Sequence, residues 1–384
     1  MFIPRLLDLQ AATATKSCFL FGPRQTGKSS LIRRTLPADT LIYNLLDHST
    51  WLTLSANPGR MREEILAKDL KDALVVVDEI QKLPGLLDEV HLLIEERGLR
   101  FLLTGSSARK LRHSGVNLLG GRARSRHLHP LSWKELGPEF DLTKALDRGL
   151  LPFVYFSDEP AEDLRSYIGI YLKEEIAAEG LTRNVPAFAR FLEVAAACSG
   201  KMINKTEVAN DAKVPRTTVH EYFEILRDTL IGYEVPAWTK STKRKAIETA
   251  KFYLFDGGVA RAIRGLPPLQ PKSVDFGDAL EHFMFHEMQT YVDTRVPGTE
   301  LAYWRSTSKF EVDFILGGHT AVEVKATASV SKRDLRGLEA LAEEHLMKHL
   351  VLVCQEKTAR KVGDILVLPW SEFLDRLWGG EFKD

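Results

Sequence analysis

The chain has 384 residues, 44% of them hydrophobic, which is enough for roughly two to four domains with cores of their own. Lys plus Arg equals Asp plus Glu at 52 each, so bulk charge excludes no class of partner and only local clustering is informative. The three cysteines, Cys18, Cys198 and Cys354, are far apart, with neither metal-ligand spacing nor a disulfide framework; no apolar run reaches membrane-spanning length and no signal pattern opens the chain, so a soluble, cytoplasmic protein is expected.

The first predicted unit is a strand, a loop and a helix. The apolar run Cys18-Phe19-Leu20-Phe21 leads into Gly22-Pro23-Arg24-Gln25-Thr26-Gly27-Lys28-Ser29, which fits G-x-x-x-x-G-K-[ST] at every fixed position, and Ser29 to Leu36 reads as the helix behind it. Glycines let several N–H groups of such a loop point at one phosphate. The helix N-terminus adds partial positive charge and Lys28 a full one. The stretch from Gly22 to Ser30 is therefore the expected ATP contact, with the Ser29 hydroxyl on a magnesium ion that bridges the terminal phosphates.

Tyr43-Asn44-Leu45-Leu46-Asp47 is a strand candidate. Ala73-Leu74-Val75-Val76-Val77 is an unbroken apolar run of the kind that fills a central parallel strand buried on both faces, and it ends in Asp78-Glu79. Carboxylates at the C-terminal end of such a strand fall where open α/β sheets bind ligands. Asp78 is expected to hold Mg²⁺ through water, and Glu79 to act as general base on the attacking water. A further strand, Arg100 to Thr104, leads into Gly105-Ser106-Ser107, where Thr104 or Ser106 is placed to sense the γ-phosphate. Residues 1 to about 140 thus read as a doubly wound α/β layer of a nucleotide hydrolase.

From Arg97 to Lys134 no acidic residue occurs, against nine basic ones: Arg97, Arg100, Arg109, Lys110, Arg112, Arg122, Arg124, Arg126 and Lys134. Such a stretch beside a phosphate-sensing strand suits contact with nucleotide or nucleic acid phosphates. Arg122 is the first candidate for an arginine finger supplied by a neighbouring subunit, with Arg124 next. Ala161 to Ala178 and Pro186 to Ala197 read as helices of a small lid, in which Arg165 is a candidate sensor arginine.

Lys205 to Ala212 reads as a short helix capped by Asn204. Lys213-Val214-Pro215 makes the turn, and Arg216 to Leu230 supplies a second helix. Ala209, Val214, Val219 and Leu226 occupy the packing positions of a helix-turn-helix, leaving Arg216, Thr217, Thr218, His220 and Glu221 for the exposed face. A hairpin-like stretch with Lys240, Lys243, Arg244 and Lys245 follows, resembling the wing of a winged helix. Basic residues there suit DNA phosphates, which position a protein without reading sequence.

Gly277 to Phe283, with Glu281, begins an amphipathic helix. Leu301 to Arg305, Phe310 to Leu316 and Thr320 to Lys325 are strands, the last two joined by Gly317-Gly318, and a helix (Lys332 to His345) and a strand (His349 to Cys354) follow. Alternation puts Glu311 with Asp313, and Glu323 with Lys325, on shared strand faces. This order, with Asp…Glu-x-Lys on the hairpin, resembles the PD-(D/E)XK nuclease superfamily. The resemblance implies that Asp313 and Glu323 bind Mg²⁺ or Mn²⁺, that Glu281 completes the metal shell, and that Lys325 orients or activates the attacking water.

Taken together, the chain resembles the bacterial and archaeal AAA-type ATPases with a C-terminal domain catalogued as of unknown function. The segments that carry the likeness include 22–29, 77–82, 103–107, 120–122, 130–136, 251–258, 311–314 and 323–325. It implies an α/β architecture in four parts: an AAA-type P-loop core with a parallel sheet (1–145), a helical lid (146–197), a winged helix-turn-helix (198–250) and a nuclease-like α/β domain (251–384). The expected activity is ATP hydrolysis coupled to processing of branched, junction or end-containing DNA without sequence reading, in a homo-oligomer for which a hexameric ring is one arrangement, with no membrane partner. A non-cleaving ATP-dependent switch that binds DNA or a partner through the same fold is the alternative, and a signalling ATPase acting on proteins is a third reading.

Overall fold

The computed structural model describes residues 2–107, 119–177, 182, 184–271 and 273–383. Residues 1–129 with 228–230 form one compact unit, and residues 130–227 with 231–384 form the other.

The first unit is built on a five-stranded parallel sheet of β1 (Ser17–Phe21), β2 (Leu41–Asn44), β3 (Leu74–Asp78), β4 (Arg100–Gly105) and β5 (Ala123–His127), in the order β2-β3-β4-β1-β5. Among the described residues its α-helices are α1 (Leu9–Thr13), α2 (Lys28–Thr35), α3 (His48–Ala56), α4 (Gly59–Ala67) and α5 (Leu86–Arg97). Alternate residues of the central strands enter two separate cores. Phe19, Phe21, Val75, Val77, Phe101 and Leu103 pack with Leu86, Val90 and Leu93 of α5, whereas Cys18, Leu20, Val76 and Leu102 pack with Leu31 and Ile32 of α2. Burial on both faces is why these strands read as continuous apolar runs. The strand expected from Tyr43 to Asp47 lies earlier, at Leu41–Asn44, because Asp47 accepts from the Thr50 N–H and caps α3.

Beyond the short turns of helix Trp133–Leu136 and Pro152–Tyr155, the first part of the second unit carries α6 (Leu142–Arg148), α7 (Pro160–Ile170), α8 (Val185–Ala197), α9 (Lys205–Ala212) and α10 (Arg216–Asp228). After α7 the backbone widens into a π-helical turn, Tyr171–Ala177, so the regular helix expected to Ala178 ends early; Ala178 itself lies outside the described residues. Asn204 caps α9 as anticipated, accepting from Thr206 and Glu207 N–H, and Lys213 turns the chain in the left-handed region (φ 55). A three-stranded antiparallel sheet of β6 (Lys201–Met202), β7 (Gly232–Val235) and β8 (Lys251–Leu254), ordered β6-β8-β7, packs with these helices. One core takes Leu151, Phe188, Phe191, Tyr222, Phe223, Phe252 and Phe255, so segments assigned by sequence to lid, helix pair and C-terminal part share their apolar burial.

After α11 (Gly257–Ile263) and the long α12 (Val274–Arg295) comes a six-stranded mixed sheet. It comprises β9 (Leu301–Arg305), β10 (Glu311–Leu316), β11 (Thr320–Val324), β12 (His349–Cys354), β13 (Arg360–Val362) and β14 (Ile365–Pro369), in the order β13-β14-β12-β11-β10-β9. Helices α13 (Lys332–Ala342) and α14 (Trp370–Trp378) complete it. The 236–250 loop lies along the outer edge of β9: Trp238 N–H donates to Tyr303 O at 2.7 Å, Tyr303 N–H to Pro236 O at 3.0 Å and Ile247 N–H to Arg305 O at 2.8 Å. Trp238 enters the same core as Trp304. A sheet edge left open would offer unpaired N–H and C=O groups, and this loop covers it.

Candidate functional site

At the N-terminal end of α2 the chain must pass close under residue 128, and only a residue without Cβ fits. A Cβ on Gly22 would lie 2.4 Å from the Leu128 carbonyl oxygen, and Gly27 adopts φ 95. Lys28 is buried, and its ammonium donates to the carbonyls of Gly22 (2.7 Å) and Pro23 (3.0 Å), while the Thr26 hydroxyl donates to Pro23 O. Pro23 is buried, Arg24 half-buried, and Gln25 and Ser30 exposed at the loop's rim. Arg5, which carries no motif, braces the loop by donating to Thr26 O (2.7 Å) and His129 O (2.6 Å).

The sheet order brings the second half of the site together. Ser29 Oγ donates to Asp78 Oδ2 at 3.0 Å, and the Thr104 hydroxyl donates to Asp78 Oδ1. Thr104 Oγ1 also accepts from the Glu79 N–H at 3.1 Å, fixing Glu79 in the left-handed region at φ 63, a conformation that costs a non-glycine residue of order 1 kcal/mol. Strain of this kind is tolerated where the surroundings over-determine it. The Glu79 carboxylate accepts from Gln81 Nε2 at 2.6 Å, and the same amide reaches Ser106 Oγ at 3.3 Å. Burial pushes the Glu79 carboxyl up, against the pull of Lys28 and Gln81. Gln81 was not legible as a site residue, since its amide reaches Glu79 only through the 3₁₀ turn Ile80–Lys82.

Of the two finger candidates, Arg122 is ion-paired through Nε to Glu95 of α5, whereas Arg124 is exposed on the edge strand β5. Arg109, Lys110 and Arg112 of the basic stretch lie outside the described residues.

A second cluster forms in the other unit. The register Phe314↔Val322, continued one residue, sets Asp313 opposite Glu323, and Asp313 Oδ2 accepts from the Val324 N–H at 2.9 Å. Lys325 Nζ lies 2.5 Å from Glu323 Oε1. Burial pulls the Lys325 amine down, but Asp313 and Glu323 outweigh it and hold its ammonium above the ordinary range. Burial and then Asp313 push the Glu323 carboxyl well up and Glu281 up to about 7. Glu323 Oε2 is buried and has no hydrogen-bond partner among the described residues. An orphaned carboxylate oxygen beside Asp313 fits a hard divalent cation, which needs only one or two carboxylates and completes its shell with water and phosphate oxygens.

Glu281 is the third carboxylate expected in that shell, and, burial apart, Asp313 lies close enough to push its carboxyl up. Its Oε1 accepts from Tyr253 Oη at 2.6 Å and lies 3.3 Å from Lys251 Nζ. Among the described residues no group of three acidic, His or Cys side chains is arranged to hold a metal ion. Lys251 is the residue sequence reasoning missed: buried on β8, it lies 2.8 Å from Glu311 and 3.5 Å from Asp313.

On the helix pair, Arg216, Thr217, His220 and Glu221 are exposed and Thr218 half-buried, with Lys205 Nζ 3.1 Å from His220 Nδ1. The basic hairpin differs from expectation. Lys240, Lys243 and Lys245 are exposed, but Arg244 is engaged with Glu343 at 2.8 Å and over the Phe310 ring at 5.2 Å. The Glu344 carboxylate accepts from the N–H groups of Thr242, Lys243 and Arg244, which anchors the loop to the end of α13 instead of leaving it to project.

Residues 14–137 match the family model described as AAA domain, residues 139–270 a domain of unknown function (DUF8612) and residues 276–373 another (DUF4143). Uncharacterized proteins of Mycobacterium bovis and Mycobacterium tuberculosis are each 24% identical over 92% of this chain and 80% of their own length. An uncharacterized protein of Haemophilus influenzae is 21% identical over 70% of this chain and 72% of its own. Among solved structures, the Aeropyrum pernix ORC1 protein in complex with DNA is 14% identical with a TM-score of 0.28, covering 66% of this chain and 87% of that one. A Pyrococcus horikoshii signal transduction ATPase of the STAND type, with a tetratricopeptide repeat sensor, is 13% identical at 0.24, covering 77% of this chain and 46% of that one. Scores this low carry no structural weight, so the family match and the loop geometry decide. The match of residues 14–137 to the AAA domain model, together with the Gly22–Ser29 loop, supports an AAA-type P-loop fold for that segment.

Proposed function

We propose that this chain is an ATP-hydrolysing DNA-binding protein that processes structured DNA, with metal-dependent cleavage at the Asp313–Glu323 hairpin of a PD-(D/E)XK-like domain. Glu79 takes the proton of the water that attacks the γ-phosphate, Lys28 and the loop N–H groups from Gly22 to Ser30 hold the phosphates, and Asp78 with Ser29 carries the magnesium of the bound nucleotide. Thr104 keeps Asp78 and Glu79 in place and senses hydrolysis together with Ser106. Arg124 of a neighbouring subunit serves as the finger in a homo-oligomer, of which a hexameric ring is one form, because Arg122 is already spent on Glu95. Residues 198–250 act as a winged helix that holds DNA through Arg216, Thr217, Thr218 and His220, with Lys240, Lys243 and Lys245 on backbone phosphates; Arg244 serves as an anchor of the loop. The working division is core 1–145, lid 146–197, winged helix 198–250 and nuclease-like domain 251–384. Among the described residues no helix is long and apolar enough to cross a membrane.

The observation that carries the cleavage reading is the orphaned Glu323 oxygen next to Asp313. A divalent ion bound there supplies a polarised phosphate and a more acidic water. Lys325 orients that water, and Asp313 and Glu323 fix the site against the backbone of β11. One observation favours a second reading, a non-cleaving ATP-dependent switch: the Lys251 ammonium already neutralises part of the cluster. Incubation of nucleotide-free protein with branched, nicked and linear DNA in Mg²⁺ or Mn²⁺ separates the two. Cleavage by wild type and none by Asp313→Ala supports the first reading; no cleavage of any substrate leaves the switch.

A further inference from the structure

The side chain of Gln81 is 3% exposed and lies between Glu79 and the end of β4. The 3₁₀ turn Ile80–Lys82 folds it back, with the Lys82 N–H donating to Glu79 O at 2.9 Å, so residue 81 comes over the carboxylate two positions earlier. Gln81 Nε2 donates to Glu79 Oε2 at 2.6 Å and to Ser106 Oγ at 3.3 Å. An ionised carboxylate only accepts, so the amide has to present its nitrogen to Glu79 and turn its oxygen the other way. That oxygen, Oε1, is buried and has no hydrogen-bond partner among the described residues. A buried acceptor left unpaired costs free energy, and the charge-assisted bond to Glu79 is what holds the amide in this orientation.

Gly105 makes room for the turned oxygen. A Cβ on residue 105 would lie 2.6 Å from Gln81 Oε1 and 3.4 Å from its Cδ, with Ser107 O farther off at 3.6 Å. The backbone of Gly105 is not left-handed, so the amide of Gln81, and not the local conformation, is what forbids a side chain there. Glu79 is thus fixed twice from β4: its N–H by Thr104 Oγ1 at 3.1 Å, and its carboxylate by an amide seated on Gly105. We propose that Gln81 is a positioning residue for the general base, a latch that sets the direction of the Glu79 carboxylate, with Gly105 as its seat. This rests on the ATP-hydrolysis reading and adds to it a residue that acts through Glu79. A base turned away from its water by about 1 Å loses up to roughly 10²-fold in rate, whereas the loop that holds the phosphates is left as it was.

The test is a split between turnover and nucleotide affinity in the full-length protein, read by phosphate release with Mg²⁺ and ATP and by titration with a fluorescent ATP analogue. Gln81→Met keeps the length of the side chain and removes its donors; kcat falls by about 10- to 10²-fold and affinity stays within about 3-fold of wild type. Gly105→Ala pushes the amide aside and lowers kcat to a similar degree. In the Gln81→Ala background, Gly105→Ala lowers neither kcat nor the thermal unfolding midpoint of nucleotide-free protein any further, since the group it displaces is gone. Wild-type kcat in Gln81→Met overturns the proposal, as does a fall in kcat matched by an equal loss of affinity, or additive losses in the double variant. Should the Gln81 variants not fold, Gly105→Ala carries the split alone, and wild-type turnover by it overturns the proposal; loss of the fold in all of them contradicts it, because the amide then serves the fold. A wild type that hydrolyses no ATP removes the hydrolysis reading and the proposal with it, whereas a hydrolysing wild type matched by Gln81→Met removes the proposal alone.

Discussion

Lys28 donates to two carbonyls of its own loop, hydrogen bonds that, under the proposed ATP reading, it exchanges for phosphate oxygens. Lys28→Ala is expected to lower ATP hydrolysis by about 10²-fold or more, since a fixed cation on developing phosphate charge is lost. Glu79→Gln keeps the side-chain shape and removes the base; turnover falls by roughly 10²- to 10⁴-fold while nucleotide binding persists, a split read by comparing a phosphate-release assay with fluorescent-nucleotide titration. The loop and the Asp78-Glu79 pair were legible in the sequence because their chemistry is contiguous. Arg5, Gln81 and Lys251 were not: each acts on groups distant in sequence or around a turn, and no spacing rule links Lys251 to Glu311.

Elements are joined in the second unit by buried carboxylates whose partners come from other segments. Glu287 of α12 is fully buried and accepts from the Trp133 N–H at 2.7 Å and Trp378 Nε1 at 2.9 Å. Burial raises its carboxyl to about 8 despite those two donors. The folded state thus holds a proton that the unfolded chain, near 4.3, releases. Stability from this group is complete below that lower value and is lost as pH rises toward 8. Thermal unfolding of wild type should fall across pH 5 to 8 more steeply than that of Glu287→Gln; parallel curves would exclude the linkage. Glu344→Ala is expected to cost about 1–3 kcal/mol, because the N–H groups of residues 242–244 lose their acceptor, and to speed proteolysis within 236–250. The caps and apolar spacing made α9, α10 and the β10–β11 hairpin readable. The docking of 236–250 was hidden, since a run of basic residues reports charge and not which edge it covers.

For the whole molecule, a neutral balance of 52 basic and 52 acidic residues gives no general attraction to nucleic acid, so binding must come from a local face. DNA affinity is expected to fall as salt rises, with a log–log slope of about −0.9 per phosphate contacted, and Arg216→Glu to flatten that slope by about one. A salt-independent affinity would point to a protein partner. The doubly wound half was plain from sequence because parallel strands buried on both faces leave a distinct signature. Less plain was that helices and strands from residue 151 to 260 form a single core, a property of packing that local pattern does not encode. The most direct test of the combined activity is cleavage of a branched DNA in Mn²⁺, with wild type, Lys28→Ala and Asp313→Ala side by side. Products from wild type that vanish in Asp313→Ala, together with ATP hydrolysis that vanishes only in Lys28→Ala, are the predicted result. Intact DNA in all three lanes, or equal cutting by Asp313→Ala, would contradict it.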